Sequence, residues 1–148
     1  MKKILIIFTT ILLSCNEKMQ NDTLPIIGTW KLISGTTIEK GDTTVVDYTK
    51  TVSFIKIIND SHFAFLKHSL SKTKDSTATF DAGGGRYSLK NNEYTEHLEY
   101  YQDKAWEGNN FKFTVSIKND SLVQSGIEKI EKEGINRINI EKYIRLKN

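Results

Sequence analysis

The three histidines, His62, His68 and His97, are the residues best suited to bind a metal ion. His62 and His68 are six residues apart, so on one unbroken strand they would share a face but lie about 20 Å apart. His97 and Glu99 could supply two ligands, but the sequence indicates no third one beside them. Protein metal sites of this kind use at least three protein ligands. We therefore predict no metal site, and no motif predicts a cofactor.

The motifs of nucleophilic catalysis and phosphate binding are also missing from the sequence. No serine stands in the G-x-S-x-G pattern of a hydrolase, and no pair of carboxylates is set apart as acid and nucleophile. The segment Asp81–Arg86, DAGGGR, lacks the lysine and the following helix that a phosphate-binding loop requires. Its glycines favour a bulge or a bend in a strand. We predict that the protein is not an enzyme.

Cys15 is the only cysteine, and it follows a short basic and apolar segment. Lys2 and Lys3 precede the run Ile4–Leu13, which is too short to span a bilayer but suits the apolar part of a signal peptide. The segment Leu12–Cys15, LLSC, resembles the lipobox of bacterial lipoproteins. The resemblance implies cleavage before Cys15 and acyl chains on that cysteine, which would anchor the protein in a membrane. The alternative is an ordinary secretory signal with an incidental cysteine.

These features divide the chain into a lipoprotein signal peptide (1–14), a lipidated tether (15–24) and a globular domain (25–148). Asn16, and not an aspartate, follows the cysteine. By analogy with the sorting rules of Gram-negative bacteria, this predicts a lipid-anchored protein of the outer membrane, on its periplasmic side or on the cell surface. Loss of Lys2 and Lys3 with the signal peptide reduces the formal charge of +3. The small charge that remains gives no indication of nucleic-acid binding.

Apolar and polar residues alternate along most of the globular domain, which is the period of a β-strand. The clearest example is Phe111–Ile117, FKFTVSI. The pairs Asn59-Asp60, Asn91-Asn92 and Asn119-Asp120 separate such segments and favour tight hairpin turns. The pattern predicts an all-β domain of about eight to ten short antiparallel strands, either a sandwich or a closed barrel.

A Gly-x-Trp motif at the start of this region and an arginine at its end favour the barrel. Gly28 and Trp30 open the first predicted strand, and Arg145 lies in the last one. This arrangement resembles the calycin superfamily, which includes the lipocalins. The region 28–145 is similar to the lipocalin-like domains of bacterial lipoproteins, whose recurring features stand here as GTWKLISG, IKIINDSHFAF, GGGRYSLKNNEYTEHLEYY and YIR. The resemblance implies an antiparallel up-and-down β-barrel in which Arg145 packs on Trp30 and closes one end.

A tight turn at Asn91-Asn92 would fix the pairing of the two strands that flank it. The more apolar face, which we expect to point inward, holds the pairs Leu89 with Tyr94, Tyr87 with Glu96, and Gly85 with Leu98. The other face holds Ser88 with Thr95, Arg86 with His97, and Gly84 with Glu99. Glu96 is then a carboxylate on the inward face, where burial is costly unless the group is paired. It is either a polar anchor for a ligand or a structural carboxylate held by tyrosine hydroxyls or a lysine.

We therefore predict that the barrel binds a small apolar or amphipathic ligand. The expected lining comprises Trp30, Phe63, Phe65, Tyr87, Tyr94, Glu96, Phe113 and Val115. The alternative is a solid barrel that contacts a protein or a glycan of the envelope through the loops Lys67–Ser76 or Gln102–Asn110, with a protein partner that the sequence does not identify. An interior cavity of roughly 300 Å³ or more would favour ligand binding, and a filled core would favour the interaction module.

Overall fold

A computed structural model of the chain describes residues 24–71 and 80–147. The predicted signal peptide, Cys15 and nearly all of the predicted tether lie outside these residues. The described part contains nine strands and one 3-10 turn, Glu131–Glu133. The strands are β1 (Gly28–Glu39), β2 (Asp42–Asp47), β3 (Val52–Ile58), β4 (His62–Ser69), β5 (Phe80–Lys90), β6 (Glu93–Tyr101), β7 (Asn110–Lys118), β8 (Ser121–Ile130) and β9 (Ile135–Arg145). The prediction of an all-β domain is confirmed.

The strands form one antiparallel sheet that closes on itself. Their order is β2-β1-β3-β4-β5-β6-β7-β8-β9, and β9 also pairs with β1. The first half of β1 pairs with β3, and its second half, from Ser34 to Glu39, pairs with β2. Eight strands therefore make an up-and-down barrel, and β2 is an additional strand beside the far end of β1. Closure leaves fewer strand edges open to pairing with other chains.

The asparagine pairs act as turns, with one shift in position. Asn91 and Asn119 have φ angles of 56° and 55°, the left-handed conformation that tight hairpins require. The β3–β4 turn is instead centred on Asp60-Ser61, one residue later than the sequence indicates, because the backbone N–H of Asn59 donates to the carbonyl of His62. The Asn59 side chain caps this turn, since its Oδ1 accepts hydrogen bonds from the backbone N–H groups of Ser61 and His62.

The predicted pairing of β5 with β6 is confirmed from the turn as far as Gly85, which lies opposite Leu98. Beyond this point a bulge between Gly84 and Gly85 shifts the register, so that Gly84 lies opposite Tyr100. The predicted pairing of Gly84 with Glu99 is wrong for this reason. A Cβ atom at Gly85 would collide with the backbone of His97, and glycine therefore permits this close approach.

One end of the barrel is closed by Trp30 and Arg145. The guanidinium carbon of Arg145 lies 4.0 Å from the centre of the Trp30 ring, a cation–π distance. The same guanidinium donates to the carbonyl oxygens of Pro25 (2.6 Å) and Ile27 (2.7 Å). A Cβ atom at Gly28 would collide with it. Arg145 thus joins the segment before β1 to the last strand of the barrel.

The closed end is filled by a hydrophobic core, and the turns β3–β4, β5–β6 and β7–β8 lie at the same end. The largest fully buried side chains are Trp30, Tyr94, Tyr143, Ile26, Leu32, Leu122, Gln124 and Val115. The opposite, open end holds the loop 102–109 and strand β2. Within residues 24–71 and 80–147, no helix has the length and apolar character needed to cross a bilayer.

Candidate ligand-binding cavity

The barrel encloses a cavity of about 310 Å³ between this core and the open end. This volume is near the lower end of the range of about 300–1,000 Å³ that is typical of small-molecule sites. The interior is therefore not filled by its own side chains. The wall is formed by Gly35, Thr37, Val46, Tyr48, Phe54, Lys56, Phe65, Asp81, Glu96, Leu98, Tyr101, Trp106, Phe111, Phe113, Glu128, Arg137, Asn139, Glu141 and Tyr143.

Six aromatic rings of this wall follow one another in a continuous series, which we call the aromatic belt. The belt consists of Tyr48, Phe54, Phe65, Tyr101, Trp106 and Phe111. Successive ring centres are 5.9, 5.8, 5.9, 6.5 and 5.7 Å apart, within the range of favourable aromatic pairs. Gly83, opposite Phe65, makes room for the belt, because a Cβ atom there would lie 2.7 Å from the Phe65 ring.

A buried polar network crosses the barrel on the closed-end side of the cavity. It consists of Lys56, Glu96, Gln124, Glu141 and Tyr143, which come from strands β3, β6, β8 and β9. The Lys56 ammonium donates to Glu96 at 2.7 Å and to the Gln124 side-chain oxygen at 3.1 Å, and it lies 3.8 Å from Glu141. Glu141 in turn accepts hydrogen bonds from Tyr143 at 2.6 Å and from Gln124 at 3.2 Å.

The pKa values of this network reflect its burial. Burial raises the pKa of Glu96, and the attraction of Lys56 only partly opposes this. Burial by itself would lower the pKa of Lys56, but the carboxylates of Glu96 and Glu141 outweigh it and raise that pKa. Burial also raises the pKa of Tyr143 and of Tyr94. The adjacent Glu96 carboxylate adds to the raised pKa of the buried Tyr94 hydroxyl.

A second group of polar side chains lies nearer the open end. The Arg137 guanidinium pairs with Glu128 at 2.7 Å and lies 5.5 Å from the Trp106 ring, whose indole N–H donates to Glu133. Asn139 also donates to Glu128, at 2.8 Å. These contacts hold Trp106 of the loop 102–109 against the barrel.

Asp81 lies on the opposite side of the open end, on β5. One oxygen of its carboxylate, Oδ1, is buried and accepts no hydrogen bond. Burial, and then the adjacent Asp81, raise the pKa of Tyr101 to about 12. Among the described residues, the Asp81 carboxylate thus has Tyr101 beside it, while its Oδ1 oxygen has no donor.

The ligand residues expected from the sequence separate into three groups. Phe65, Glu96 and Phe113 form part of the cavity wall. Phe63, Tyr94 and Val115 are buried in the core and do not line the cavity, as is also true of Trp30. Tyr87 is half-buried, and its hydroxyl donates to the carbonyl oxygen of Asn59. A role of these residues in ligand binding stays a prediction.

Sequence reasoning missed most of the aromatic belt and the lysine of the network. The position of Lys56 could have been predicted, because it lies two residues from both Phe54 and Ile58 on one strand and therefore shares their inward face. No sequence pattern predicts the place of Trp106 in the cavity wall, because it lies in a loop, where alternation of apolar and polar residues carries no information. Glu96 fits both of its sequence interpretations, as it lines the cavity and is also held by a lysine.

The outer face of β5 and β6 carries a group of charged and polar side chains. Arg86 pairs with Glu99 at 2.6 Å, and His97 is 2.7 Å from the Asn110 side chain. A larger depression of about 500 Å³ lies there, but it is on the outside of the barrel. In the part of the chain that the structure describes, no cluster of three or more His, Cys, Asp or Glu side chains could hold a metal ion.

Comparison with solved structures gives two bacterial proteins. A lipocalin-like protein from Bacteroides uniformis shares 22% sequence identity and a TM-score of 0.51, over 81% of this chain and 97% of that one. An uncharacterized protein from Bacteroides eggerthii has 13% identity and a TM-score of 0.48, over 81% of this chain and 98% of that one. No family model and no curated protein matches the chain. The closed eight-stranded barrel and the first of these likenesses together show that the protein has a lipocalin-like fold.

Proposed function

We propose that this protein binds a small amphipathic molecule inside the barrel. The observation that carries the proposal is the cavity of about 310 Å³, which has an aromatic wall and a polar floor. The aromatic belt offers a ligand extensive apolar contact, and Lys56, Glu96 and Glu141 offer hydrogen bonds at the bottom of the cavity. Pockets of this composition are typical of small-molecule sites.

The expected affinity follows from the apolar surface that such a ligand would bury. A ligand that loses about 200 Å² of apolar surface to the belt gains about 5 kcal/mol, at about 25 cal/mol per Å². Lost translational and rotational freedom offsets much of this gain. Arg145 and the filled core already order the closed end, so little of the remaining binding free energy is lost in ordering the protein. Apolar contact alone therefore gives dissociation constants of about 1 mM or weaker, and tighter binding requires polar contacts between the ligand and the cavity.

The proposal is tested with the purified globular domain and N-phenyl-1-naphthylamine, a neutral apolar probe. We expect saturable binding of one probe per chain, and native mass spectrometry should find a co-purified small molecule. The variant Leu98→Trp places a larger side chain in the cavity wall and should abolish binding. The matched control Leu66→Trp makes the same change at an exposed position on the barrel and should bind as the wild type does. Absence of both the co-purified molecule and saturable binding would overturn the proposal.

We also propose that acyl chains on Cys15 hold the barrel at the outer membrane of the cell envelope. The support is the sequence, in which the only cysteine ends a basic and apolar N-terminal segment. Two or three acyl chains would be enough for stable anchoring, whereas one would not. Radiolabelled palmitate fed to expressing cells should label the wild type but not the variant Cys15→Ser, and fractionation should place the wild type in the outer membrane. Labelling of the variant would contradict the proposal.

A further inference from the structure

The charges that face the cavity do not balance. Among the described residues of its wall, the acidic side chains are Asp81, Glu96, Glu128 and Glu141, and the basic side chains are Lys56 and Arg137. Four carboxylates therefore face two cations across the described part of the wall.

Each basic side chain of the cavity wall is already committed to a carboxylate of the protein. Arg137 is paired with Glu128, and Lys56 is shared between Glu96 and Glu141. Within residues 24–71 and 80–147, Asp81 has no basic partner in an ion pair, and its buried Oδ1 accepts no hydrogen bond. Lys67 lies opposite Asp81 in the pairing of β4 with β5, at the outer rim of the open end and not among the residues of the cavity wall. The uncompensated negative charge is therefore concentrated on the Asp81 side of the cavity.

One ring of the aromatic belt lies beside this carboxylate, and a second lies on the neighbouring strand. Tyr101 of the aromatic belt lies close enough to Asp81 for the carboxylate to contribute to its raised pKa, and Phe65 lies on the neighbouring strand. The faces of such rings attract cations. The interior already uses this attraction, because Lys56 lies 5.2 Å from the ring centre of Tyr143 and Arg137 lies 5.5 Å from that of Trp106.

We propose that the ligand of this cavity is an organic cation, that is, a compact apolar group that carries a protonated amine. The ammonium would donate to Asp81 Oδ1 beside Tyr101, and the apolar group would lie against the rest of the aromatic belt. A neutral ligand could donate a hydrogen bond to this oxygen but would leave its charge unbalanced, and an anion would add to the excess of negative charge. This inference rests on the proposed function and narrows it to one chemical class.

The test compares three probes that share one skeleton and differ in charge: 4-phenylbutylamine, 4-phenylbutan-1-ol and 4-phenylbutanoate. Their dissociation constants are measured by calorimetry at pH 7 with the purified globular domain. We expect the amine to bind about tenfold more tightly than the alcohol, which corresponds to one charge-assisted contact, and the carboxylate to bind most weakly. Equal affinity for amine and alcohol, or tighter binding of the carboxylate, would overturn the inference while leaving the proposed function intact.

The assignment to Asp81 is tested by the variant Asp81→Asn, which removes the charge and keeps the shape. It should lose the preference for the amine and bind the alcohol as the wild type does, so that alcohol binding also reports an intact barrel. The control Glu99→Gln neutralises a carboxylate on the outer surface, where Glu99 pairs with Arg86, and should keep the preference. An unchanged preference in Asp81→Asn would overturn the assignment. If none of the three compounds binds and N-phenyl-1-naphthylamine also fails, the proposed function falls together with the inference.

Discussion

Replacement of Lys56 by methionine tests the energetic role of the buried polar network. Methionine keeps the length and most of the volume of lysine but removes its charge. The Lys56 side chain is 4% exposed, and its ammonium lies 2.7 Å from Glu96 and 3.8 Å from Glu141. Without the ammonium, two buried carboxylates face each other and the Gln124 oxygen loses a donor. Removal of one partner of a buried ion pair costs about 3–5 kcal/mol, a large part of the roughly 5–15 kcal/mol that stabilises a typical domain.

The expected thermal shift follows from the size of the barrel. At an unfolding entropy of about 2.1 cal/mol/K per residue, a domain of about 120 residues loses about 4 °C of Tm for each kcal/mol. We therefore expect Lys56→Met to unfold about 12–20 °C below the wild type in a scan of circular dichroism at pH 7. The double variant Lys56→Met/Glu96→Gln should recover part of this loss of stability, because it removes one of the two buried carboxylates that lack a cationic partner.

The pH dependence of this loss identifies its cause. The pKa of Glu96 is raised above 4.5 in the folded protein, and it should rise further without Lys56. The Glu96 carboxyl then binds a proton more tightly in the folded state than in the unfolded state. The loss of unfolding free energy in Lys56→Met should therefore shrink as the pH falls from 7 towards 4.5. The control Lys112→Met removes an exposed lysine that lies 3.8 Å from Glu93 and should change stability by less than about 1 kcal/mol. A loss below about 1 kcal/mol in Lys56→Met, or one that does not vary with pH, would refute this reasoning.

Two further predictions concern the closed end and alkaline pH. Arg145→Lys keeps the charge but loses the planar group that lies on Trp30 and donates to two backbone carbonyls. We expect urea unfolding to show that the free energy of unfolding falls by about 1–3 kcal/mol. Binding of N-phenyl-1-naphthylamine should stay unchanged because the cavity lies elsewhere. Unchanged stability would contradict the role of the arginine. At alkaline pH, the raised pKa of Lys56 means that its stabilising contribution is fully present below pH 10.5 and is lost as the pH rises through the folded value. The difference in unfolding free energy between wild type and Lys56→Met should therefore decrease above pH 10.5, and a difference that stays constant to the point of unfolding would contradict the assignment.

Much of the fold could be read from local patterns. Alternation placed Phe111, Phe113 and Val115 on the buried face of β7, because successive side chains of a strand point to opposite sides. The turn at Asn91-Asn92 predicted which residues of β5 and β6 lie opposite each other, since a two-residue loop leaves one register. This local reasoning ended at Gly85, where the bulge depends on how closely the backbone of His97 approaches.

The candidate site was less predictable, because its parts are distant in the sequence. Lys56 and Glu96 are 40 residues apart, and Lys56 and Gln124 are 68 apart. No local pattern indicates that these side chains meet, and Trp106 reaches the aromatic belt from a loop. Phe63 and Phe65 share one face of β4, yet only Phe65 lines the cavity, because the distance from the closed end separates them.

The sequence by itself determined the all-β class, the hairpin order and the inward face of most strands, because alternation and turn chemistry act over a few residues. The tertiary structure decided that β9 closes on β1, that about 310 Å³ stays unfilled, and that Asp81 faces this space without a donor. Cavity volume and charge balance depend on side chains from many strands at once, and only the closed barrel brings these together.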